Sequence, residues 1–327
     1  HHRLIGKPQA LGGNCLLHFD TLKITIDKIT LPMRDISSLQ RTKDCAKIYE
    51  NSFFLNRIVD EYCSHLTKDQ QIQLLRVLEE FEELFDGTLG DWKTSPVQFE
   101  LKQDAKPYHG KAFPVPFIHK ETLMKEVQRL VDLGVLIPQN DSEWGAPTFI
   151  IPKKNGTVRF ISDFRELNKR IKRKPFPIPK ISTVLQELQG FTYATALDLN
   201  MGYYTIRLDP DASKLCTIIL PWGKYSYARL PMGVAGSPDL FQSKMSALMA
   251  NLEYVRTYLD DLLILSKGTF DDHLEKMVKV FERLREAGLR VNAAKSTFAT
   301  DEIEYLGYIL SRAGIKPQPE KVQAILA

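Results

Sequence analysis

Residues 255–265 read VRTYLDDLLIL, six Val, Leu or Ile residues and Tyr258 wrapped around the adjacent carboxylates Asp260 and Asp261. The run has the composition of a buried β-hairpin. An unpaired carboxylate in such surroundings is costly enough to shift its pKa and neutralise. Two adjacent acids ordinarily mark a turn or a helix cap, but this apolar context demands a compensating charge. A third acid, Asp198, ends another apolar strand, in TALDLNMGYYTIRL, 62 residues earlier. Three carboxylates at strand ends, all in apolar surroundings, are economically explained by convergence on divalent cations. Hard cations such as Mg²⁺ take oxygen ligands, keep several waters, and bind through one or two carboxylates plus substrate phosphates. Two such ions about 3.5–4 Å apart activate an attacking oxygen and stabilise a leaving one in phosphoryl transfer.

The flanking segments set the fold class. Downstream, residues 270–289 (FDDHLEKMVKVFERLREAGL) carry a helical stripe of Leu274, Met277, Val278, Phe281 and Leu284 closed by Gly288, and IEYLGYILSRAGI (303–315) reads as a final hairpin. Upstream, SPDLFQSKMSALMANL is a helix capped by Ser237 with Pro238 at its first position. YATALDLNMGYYTIRLD (193–209) is expected to form a strand, a short loop around Asn200–Gly202, and a second strand. PTFIIPKKNGTVRFISDF (147–164) reads as two strands joined by an Asn155–Gly156 turn, and KETLMKEVQRLVDLGVL as a helix ended by Gly134. Residues 92–117 are Pro-punctuated and extended. LTKDQQIQLLRVLEEFEELFDG (66–87) is a helix with a Thr67/Gln70 capping box, a Leu74, Leu75, Leu78, Phe81 stripe and Gly87 at its end. Residues 34–66 are weakly patterned and read as a connector. Near the N-terminus, Leu22, Ile24 and Ile26 alternate with Lys23, Thr25 and Asp27, a half-buried strand in a small hairpin. Strands and helices mix without a regular βαβ repeat, so the class is α+β with an antiparallel sheet.

At 327 residues, 43% apolar and 26% charged, the chain has room for two domains and no signature of global disorder. Its net charge of +4 is too small to name a partner, but residues 152–174 hold nine Lys/Arg against two acids. Such a block is either a solvated face or a phosphate-binding surface. Cys15, Cys45, Cys63 and Cys216 lie far apart, and no Cys/His finger or H-E-x-x-H spacing occurs, which argues against structural zinc and for a reducing compartment. No segment approaches a membrane span, and no signal peptide is expected. The chain starts at HHRLIGKPQ without Met, as expected of a segment cut from something longer.

YLDD preceded by LDLNMGYYTIRL resembles the catalytic motif pair of reverse transcriptases. PKKNGTVRFISDFRELNKR resembles their fingers hairpin, YSYARLPMGVAGSPDLFQ the loop and helix before the active-site hairpin, and EYLGYILSRAGIKPQPEKV the primer-contacting hairpin. Order and spacing over residues 92–327 are similar to the polymerase of gypsy-type long-terminal-repeat retrotransposons. The resemblance implies right-hand polymerase fingers and palm, with an antiparallel palm sheet backed by helices. The implied organisation is a connector over 35–91 with a helix at 67–86, fingers and the start of the palm over 92–190, and palm over 191–327. Thumb and RNase H are expected to be absent, since the sequence stops at Ala327. Residues 1–34 resemble the last strands of a retropepsin-like protease, but no D-[ST]-G triplet occurs, so protease activity is not expected.

The resemblance also implies roles. Asp198 and Asp260 would be the principal ligands of two Mg²⁺ ions (Mn²⁺ as a substitute), with the Leu199 carbonyl assisting and Asp261 contributing more weakly. The reaction would be RNA-directed DNA synthesis: a primer 3′-hydroxyl attacks the α-phosphate of a deoxynucleoside triphosphate and releases pyrophosphate. Lys154 and Arg159 would hold the triphosphate. Tyr203 would be the steric gate against ribonucleotides, with Tyr204 a packing residue, and Gly233 would allow close approach of backbone to nucleotide. Met232 stands where relatives carry Gln or an aromatic. Arg165, Lys169, Arg170, Lys172 and Arg173 would face template phosphates, while Tyr258, Leu306 and Gly307 would shape the primer side. Expected partners are an RNA or DNA template with its primer, deoxynucleotides, and other Pol segments (thumb, RNase H, integrase). The expected location is cytoplasmic, in virus-like particles with nuclear entry, and no membrane is involved. Two other readings stay open: a silent nucleic-acid-binding remnant of a retroelement, and a viral RNA-templated RNA polymerase. Tyr203, FRELNKR and LGY favour the DNA-making enzyme.

Overall fold

The computed structural model describes residues 54–152, 158–181 and 190–318, together with the backbone of four strands between residues 9 and 32. The chain divides into two units, residues 1–53 and 54–327. In the first, β1 (Gln9–Ala10), β2 (Cys15–His18), β3 (Lys23–Ile26) and β4 (Ile29–Pro32) form one antiparallel sheet in sequence order. The expected hairpin is the β3–β4 pair. Which of its faces is buried lies outside the described residues, as does the chain from 34 to 53.

The second unit opens with a helix over 54–62 (α1), within the stretch 34–66 that reads from sequence as a weakly patterned connector. Its Leu55, Ile58 and Val59 are buried, an i, i+3, i+4 stripe too short to stand out among its neighbours. Next comes α2 (Lys68–Glu80), whose Thr67 and Gln70 form the expected reciprocal capping box. The helix is shorter than expected: it breaks at Phe81 and continues as a 3₁₀ turn over Glu82–Phe85. Then follow α3 (Phe117–Asp132), closed by Gly134 at φ +66, β5 (Leu136–Pro138), β6 (Ala146–Pro152), β7 (Val158–Ser162) and α4 (Arg165–Asn168). The Asn155–Gly156 turn lies outside the described residues.

The remaining elements are β8 (Tyr193–Asp198), α5 (Pro210–Leu215), β9 (Thr217–Leu220), β10 (Gly223–Tyr227), α6 (Ser237–Leu248), β11 (Val255–Tyr258), β12 (Asp261–Ser266), α7 (Phe270–Ala287), β13 (Thr297–Thr300), β14 (Glu302–Tyr305), β15 (Tyr308–Ser311) and β16 (Gly314–Pro317). Three sheets result, in the orders β5-β10-β9-β6-β7, β11-β12-β8-β13 and β14-β15-β16. All pairings are antiparallel except β6 with β9. The final segment is therefore a three-stranded meander rather than a single hairpin, because Gly314 at φ +135 turns the chain back once more.

Two other local expectations are corrected. No second strand directly follows β8. Met201 takes the left-handed conformation (φ 50), Tyr204 N–H donates to the Met201 carbonyl at 2.9 Å, and residues Gly202–Thr205 form a 3₁₀ turn. Only isolated bridges at Arg207 and Leu208 continue the extended chain. The aromatic pair that favours a strand by propensity is split by tertiary stacking, Tyr203 on Phe241 and Tyr204 on Tyr227. At α6 the cap is Gly236 (φ 88), not Ser237. The Ser237 hydroxyl is buried and donates instead to the Pro231 carbonyl at 3.2 Å.

Side-chain parity sorts the central sheet. Leu262, Ile264, Leu197 and Thr195 share the face packed against α7, where Phe281 meets Phe81 and Phe85 edge-on. Asp198, Asp261, Ala194, Ala196 and Leu263 share the opposite face. There, Ile303, Tyr305 and Leu310 of the β14–β16 sheet complete a second apolar cluster around Phe191, Ala194 and Leu263. The two Ala residues leave room for that sheet to approach, and the carboxylates emerge where its cover ends. Among the described residues no helix is long and apolar enough to cross a membrane.

Candidate active site

Asp198 and Asp261 are cross-strand partners at the open end of the β8–β12 pair. Tyr258 opposes Asp261 in the β11–β12 pair, so Leu259 and Asp260 form a two-residue turn. Three carboxylates from sequence positions 198, 260 and 261 thus sit around one strand end. Leu259 is left-handed (φ 54), a conformation disfavoured for a γ-branched residue. Gln242 of α6, 1% exposed, holds it there. Its Oε1 accepts the Leu259 N–H at 2.7 Å, and its Nε2 donates to the Thr257 carbonyl and hydroxyl at 3.1 Å each.

The other side is held by residues 290–296. Asn292 N–H donates to the Asp198 carbonyl at 2.8 Å, Asp198 N–H to the Ser296 hydroxyl at 3.2 Å, and Asn200 N–H to the Arg290 carbonyl at 2.8 Å. Leu199 is buried, and its N–H reaches the Asp260 carbonyl at 3.4 Å. Gly202 packs beneath: a Cβ there would stand 3.1 Å from the Phe241 ring and 3.4 Å from Asp260 Cβ.

Electrostatics strain this arrangement. Asp261 still reaches solvent, but one buried flank and the charges of Asp260 and Asp198 push its carboxyl up to about 6. Asp198 is also raised, by burial and by Asp260, against the opposing pull of Lys295. Lys295 Nζ lies 3.8 Å from Asp198 Oδ1. Among the described residues, no three His, Cys, Asp or Glu side chains are grouped closely enough to hold a metal ion by themselves. The expected ligand set has Asp198 and Asp260 as its principal carboxylates, with Asp261 contributing more weakly. Two carboxylates, with water and substrate phosphate completing the shell, are what a hard divalent cation requires, and mutually repelling carboxylates suit one.

The other expected site residues divide into groups. Tyr203 lies beside the carboxylates, half-buried and stacked on Phe241 at 4.9 Å, with its phenol pushed up to about 12 by burial and by the charges of Asp260 and Asp239. Met232 is exposed (56%), and Gly233 next to it takes φ +90. Asn168 clamps that loop: its Nδ2 donates to the Gly233 carbonyl at 2.9 Å and its Oδ1 accepts the Ala235 N–H at 2.7 Å. Arg159 is exposed on β7 opposite Ile151, whereas Lys154 lies outside the described residues. Leu306 and Gly307 (φ 51 and 79) form the tight β14–β15 turn, and Tyr258 packs against the cluster beneath it.

The basic block is more neutralised than its sequence suggests. Arg165 forks onto Asp163 at 2.8 and 2.6 Å, Lys169 and Arg170 both reach Glu166, and Lys174 pairs with Glu100. Arg170 also lies over the Tyr108 ring. Arg173 forks onto Asp239, which is 2% exposed, held low by that guanidinium, and also accepts the Phe176 N–H. Lys172 is exposed. Asp163 and Glu166 belong to the block itself; the further balancing acids, Glu100 and Asp239, come from far away in sequence. Gln242, Asn168, Ser296 and Lys295 were not singled out from sequence; each acts through a contact with a residue at least 65 positions distant, or, for Gln242, with a hairpin turn seen only after folding.

Comparison with known proteins agrees with this arrangement. Residues 151–310 match the family described as reverse transcriptase (RNA-dependent DNA polymerase). The chain is 32% identical to the retrovirus-related Pol polyprotein from transposon opus of Drosophila melanogaster, over 76% of this chain and 26% of that protein. It is equally similar, at 32%, to the Pol polyprotein from transposon gypsy of the same species, over 68% of this chain and 22% of that protein. It thus spans about a quarter of the length of such relatives. A foamy viral protease–reverse transcriptase in complex with double-stranded DNA shares the fold, with TM-score 0.77 and 24% identity over 84% of this chain and 48% of that one. A crystal structure of the prototype foamy virus protein superposes with TM-score 0.71 at 27% identity, over 86% of this chain and 36% of that one. The chain carries the fingers-and-palm reverse transcriptase domain of long-terminal-repeat retrotransposon Pol polyproteins.

Proposed function

We propose that this chain contributes the polymerising centre of RNA-directed DNA synthesis, transferring a nucleotidyl group to a primer 3′-hydroxyl. The observation that carries the reading is the cross-strand pairing of Asp198 with Asp261, with Asp260 in the intervening turn. Asp198 and Asp260, with the Leu199 carbonyl and a weaker share from Asp261, would hold Mg²⁺ (or Mn²⁺). When bound, the metal supplies charge neutralisation at the triphosphate and a lowered pKa for the primer hydroxyl.

The chain's own residues do the rest by positioning. The primer oxygen attacks the α-phosphorus, and the bond from that phosphorus to its bridging oxygen breaks. Pyrophosphate leaves with the electron pair, and the hydroxyl proton passes to solvent. Arg159, with Lys154, grips the triphosphate, while the Tyr203 ring, braced by Phe241, occupies the space that a 2′-hydroxyl would need. Gly233 and Met232 line the nucleotide's other side, held by Asn168. Leu306–Gly307 and Tyr258 seat the primer end, and Lys172 with the outer face of Arg165 meets template phosphate. Template–primer and deoxynucleotides are the substrates. Thumb, RNase H and integrase segments of a larger Pol protein are the partners, and cytoplasmic particles with nuclear entry are the setting. The N-terminal sheet fits the end of a retropepsin-like fold.

Primer extension on an RNA template with Mg²⁺ tests this reading. Wild type should add deoxynucleotides and Asp198→Asn should not. Identical behaviour of the two overturns it.

A further inference from the structure

Behind the carboxylates, on the α7 face of the central sheet, lies a buried polar chain that the nucleotidyl-transfer reading does not use. His273 has no exposed surface. Its Nε2 lies 2.8 Å from Thr195 Oγ1 and its Nδ1 2.9 Å from Ser266 Oγ. Thr195 stands on β8 three residues before Asp198, and Ser266 ends β12 five residues after Asp261. Thr195 opposes Ile264, and Ser266 opposes Tyr193, so the ring spans the diagonal between the two carboxylate strands.

The chain does not stop there. Thr195 Oγ1 also accepts the Ala299 N–H at 2.9 Å. Ala299 sits at φ 47, where the pairing of β13 with β8 shifts register. From β13 the backbone passes directly into β14 and the Leu306–Gly307 turn. On the far side of the same bulge, His65 Nε2 lies 3.1 and 3.2 Å from the Phe298 and Ala299 carbonyls. A left-handed alanine inside a strand is disfavoured, and its N–H has lost its ladder partner, so the bulge persists only while another group takes that N–H. A neutral imidazole offers one donor and one acceptor, and the two hydroxyls rotate to satisfy both ring nitrogens.

We propose that Thr195 and His273 are positioning residues for polymerisation. One buried hydroxyl–imidazole chain fixes the two carboxylate strands against each other and against the bulge that carries the primer-side turn. The spacing of the metal ligands and the placement of the primer 3′ end are then set together. This rests on the metal-site reading above.

Thr195→Val removes the hydroxyl at nearly constant shape, and Thr195→Ser keeps it. The measurements are Mn²⁺ affinity, from the electron-spin resonance signal of free Mn²⁺, and the amplitude and rate of a single-nucleotide burst. Thr195→Val should weaken Mn²⁺ binding and slow the burst on the order of tenfold, with its amplitude retained, and Thr195→Ser should restore both. A smaller amplitude at unchanged rate and unchanged Mn²⁺ affinity would mean a merely structural role and overturns the proposal. If Thr195→Val does not fold, Ser266→Ala, which cuts only the Nδ1 end, decides in the same way: wild-type affinity and rate overturn it. Asp198→Asn separates this idea from its foundation. If that variant binds Mn²⁺ like wild type, it is the metal-site reading that fails.

Discussion

Asp198 and Asp261 face each other as cross-strand partners, with Asp260 one residue beyond in a turn whose backbone is pinned by Gln242. Like charges in such a pair destabilise a sheet, and here both carboxyls are raised. On the proposed function, a bound divalent cation would relieve that repulsion.

Asp198→Asn and Asp261→Asn should therefore raise the melting temperature of the metal-free protein, while extension is abolished in the first and reduced in the second. Adding Mg²⁺ should stabilise the wild type by mass action and leave the Asp198→Asn protein unmoved. Thermal melts with chelator and with Mg²⁺ decide it; a variant that melts lower in chelator contradicts the stored repulsion.

Gln242→Ala would leave the Leu259 N–H and the Thr257 carbonyl without their partner, at a cost of about 1–3 kcal/mol. Leu259→Gly, which relieves the left-handed φ, should recover part of this in the double variant. Urea melts of the cycle check it, and strict additivity of the two changes speaks against the clamp.

Two groups should oppose each other in acid. Burial, aided by Lys276 and against Asp272, lowers His273 to about 4. From pH 6.5 downward the unfolded chain takes up this proton and the fold does not. Stability is full above pH 6.5 and falls by about 3 kcal/mol towards pH 4. Asp261, raised to about 6, does the reverse: the folded form holds its proton longer, so stability rises as pH falls from 6 towards 4. Denaturation series between pH 4 and 8 should show the acid loss steepen in Asp261→Asn and flatten in His273→Gln. The same slope in all three proteins contradicts both assignments.

Tyr203→Ala should raise ribonucleotide incorporation and, because its ring stacks on Phe241, also lower stability. Competition between dATP and ATP in single-nucleotide extension measures the first effect. Unchanged sugar selectivity would remove Tyr203 from that role.

Within the basic block, exposed Lys172 and paired Arg173 should behave differently. Lys172→Ala should lower the salt slope of template binding by about 1 and leave stability alone. Arg173→Ala strands the buried Asp239 carboxylate and should cost about 1–3 kcal/mol of stability. Binding titrations at several salt concentrations, beside melts, separate the two; equal salt slopes for both would show that Arg173 faces phosphate as well.

The strands bearing Asp198 and Asp261 were legible because their apolar runs are long and end in acids, and the α2 and α7 helices because caps and stripes coincide. What escaped depends on tertiary contact. Tyr203 and Tyr204 have strand propensity, yet Met201's left-handed turn and two separate stacking partners make a 3₁₀ turn there. Ser237 looks like a cap, but its hydroxyl is drawn to Pro231. The basic run reads as +7 until Glu100 and Asp239 fold against it. Asn168 and Gln242 lie inside quoted motifs and Lys295 in none, but no spacing marks any of the three; only the folded chain brings them to the Gly233 loop, the hairpin turn and the carboxylates.

On the proposed function, residues around 198 and around 260 build one metal site. Replacing Mg²⁺ with Fe²⁺, generating hydroxyl radicals with ascorbate and peroxide, and mapping backbone cuts by mass spectrometry tests it directly. The expected result is cleavage clustered at both 197–199 and 259–262, lost from both places together in Asp198→Asn. Cuts confined to one segment, or surviving in that variant, would contradict it.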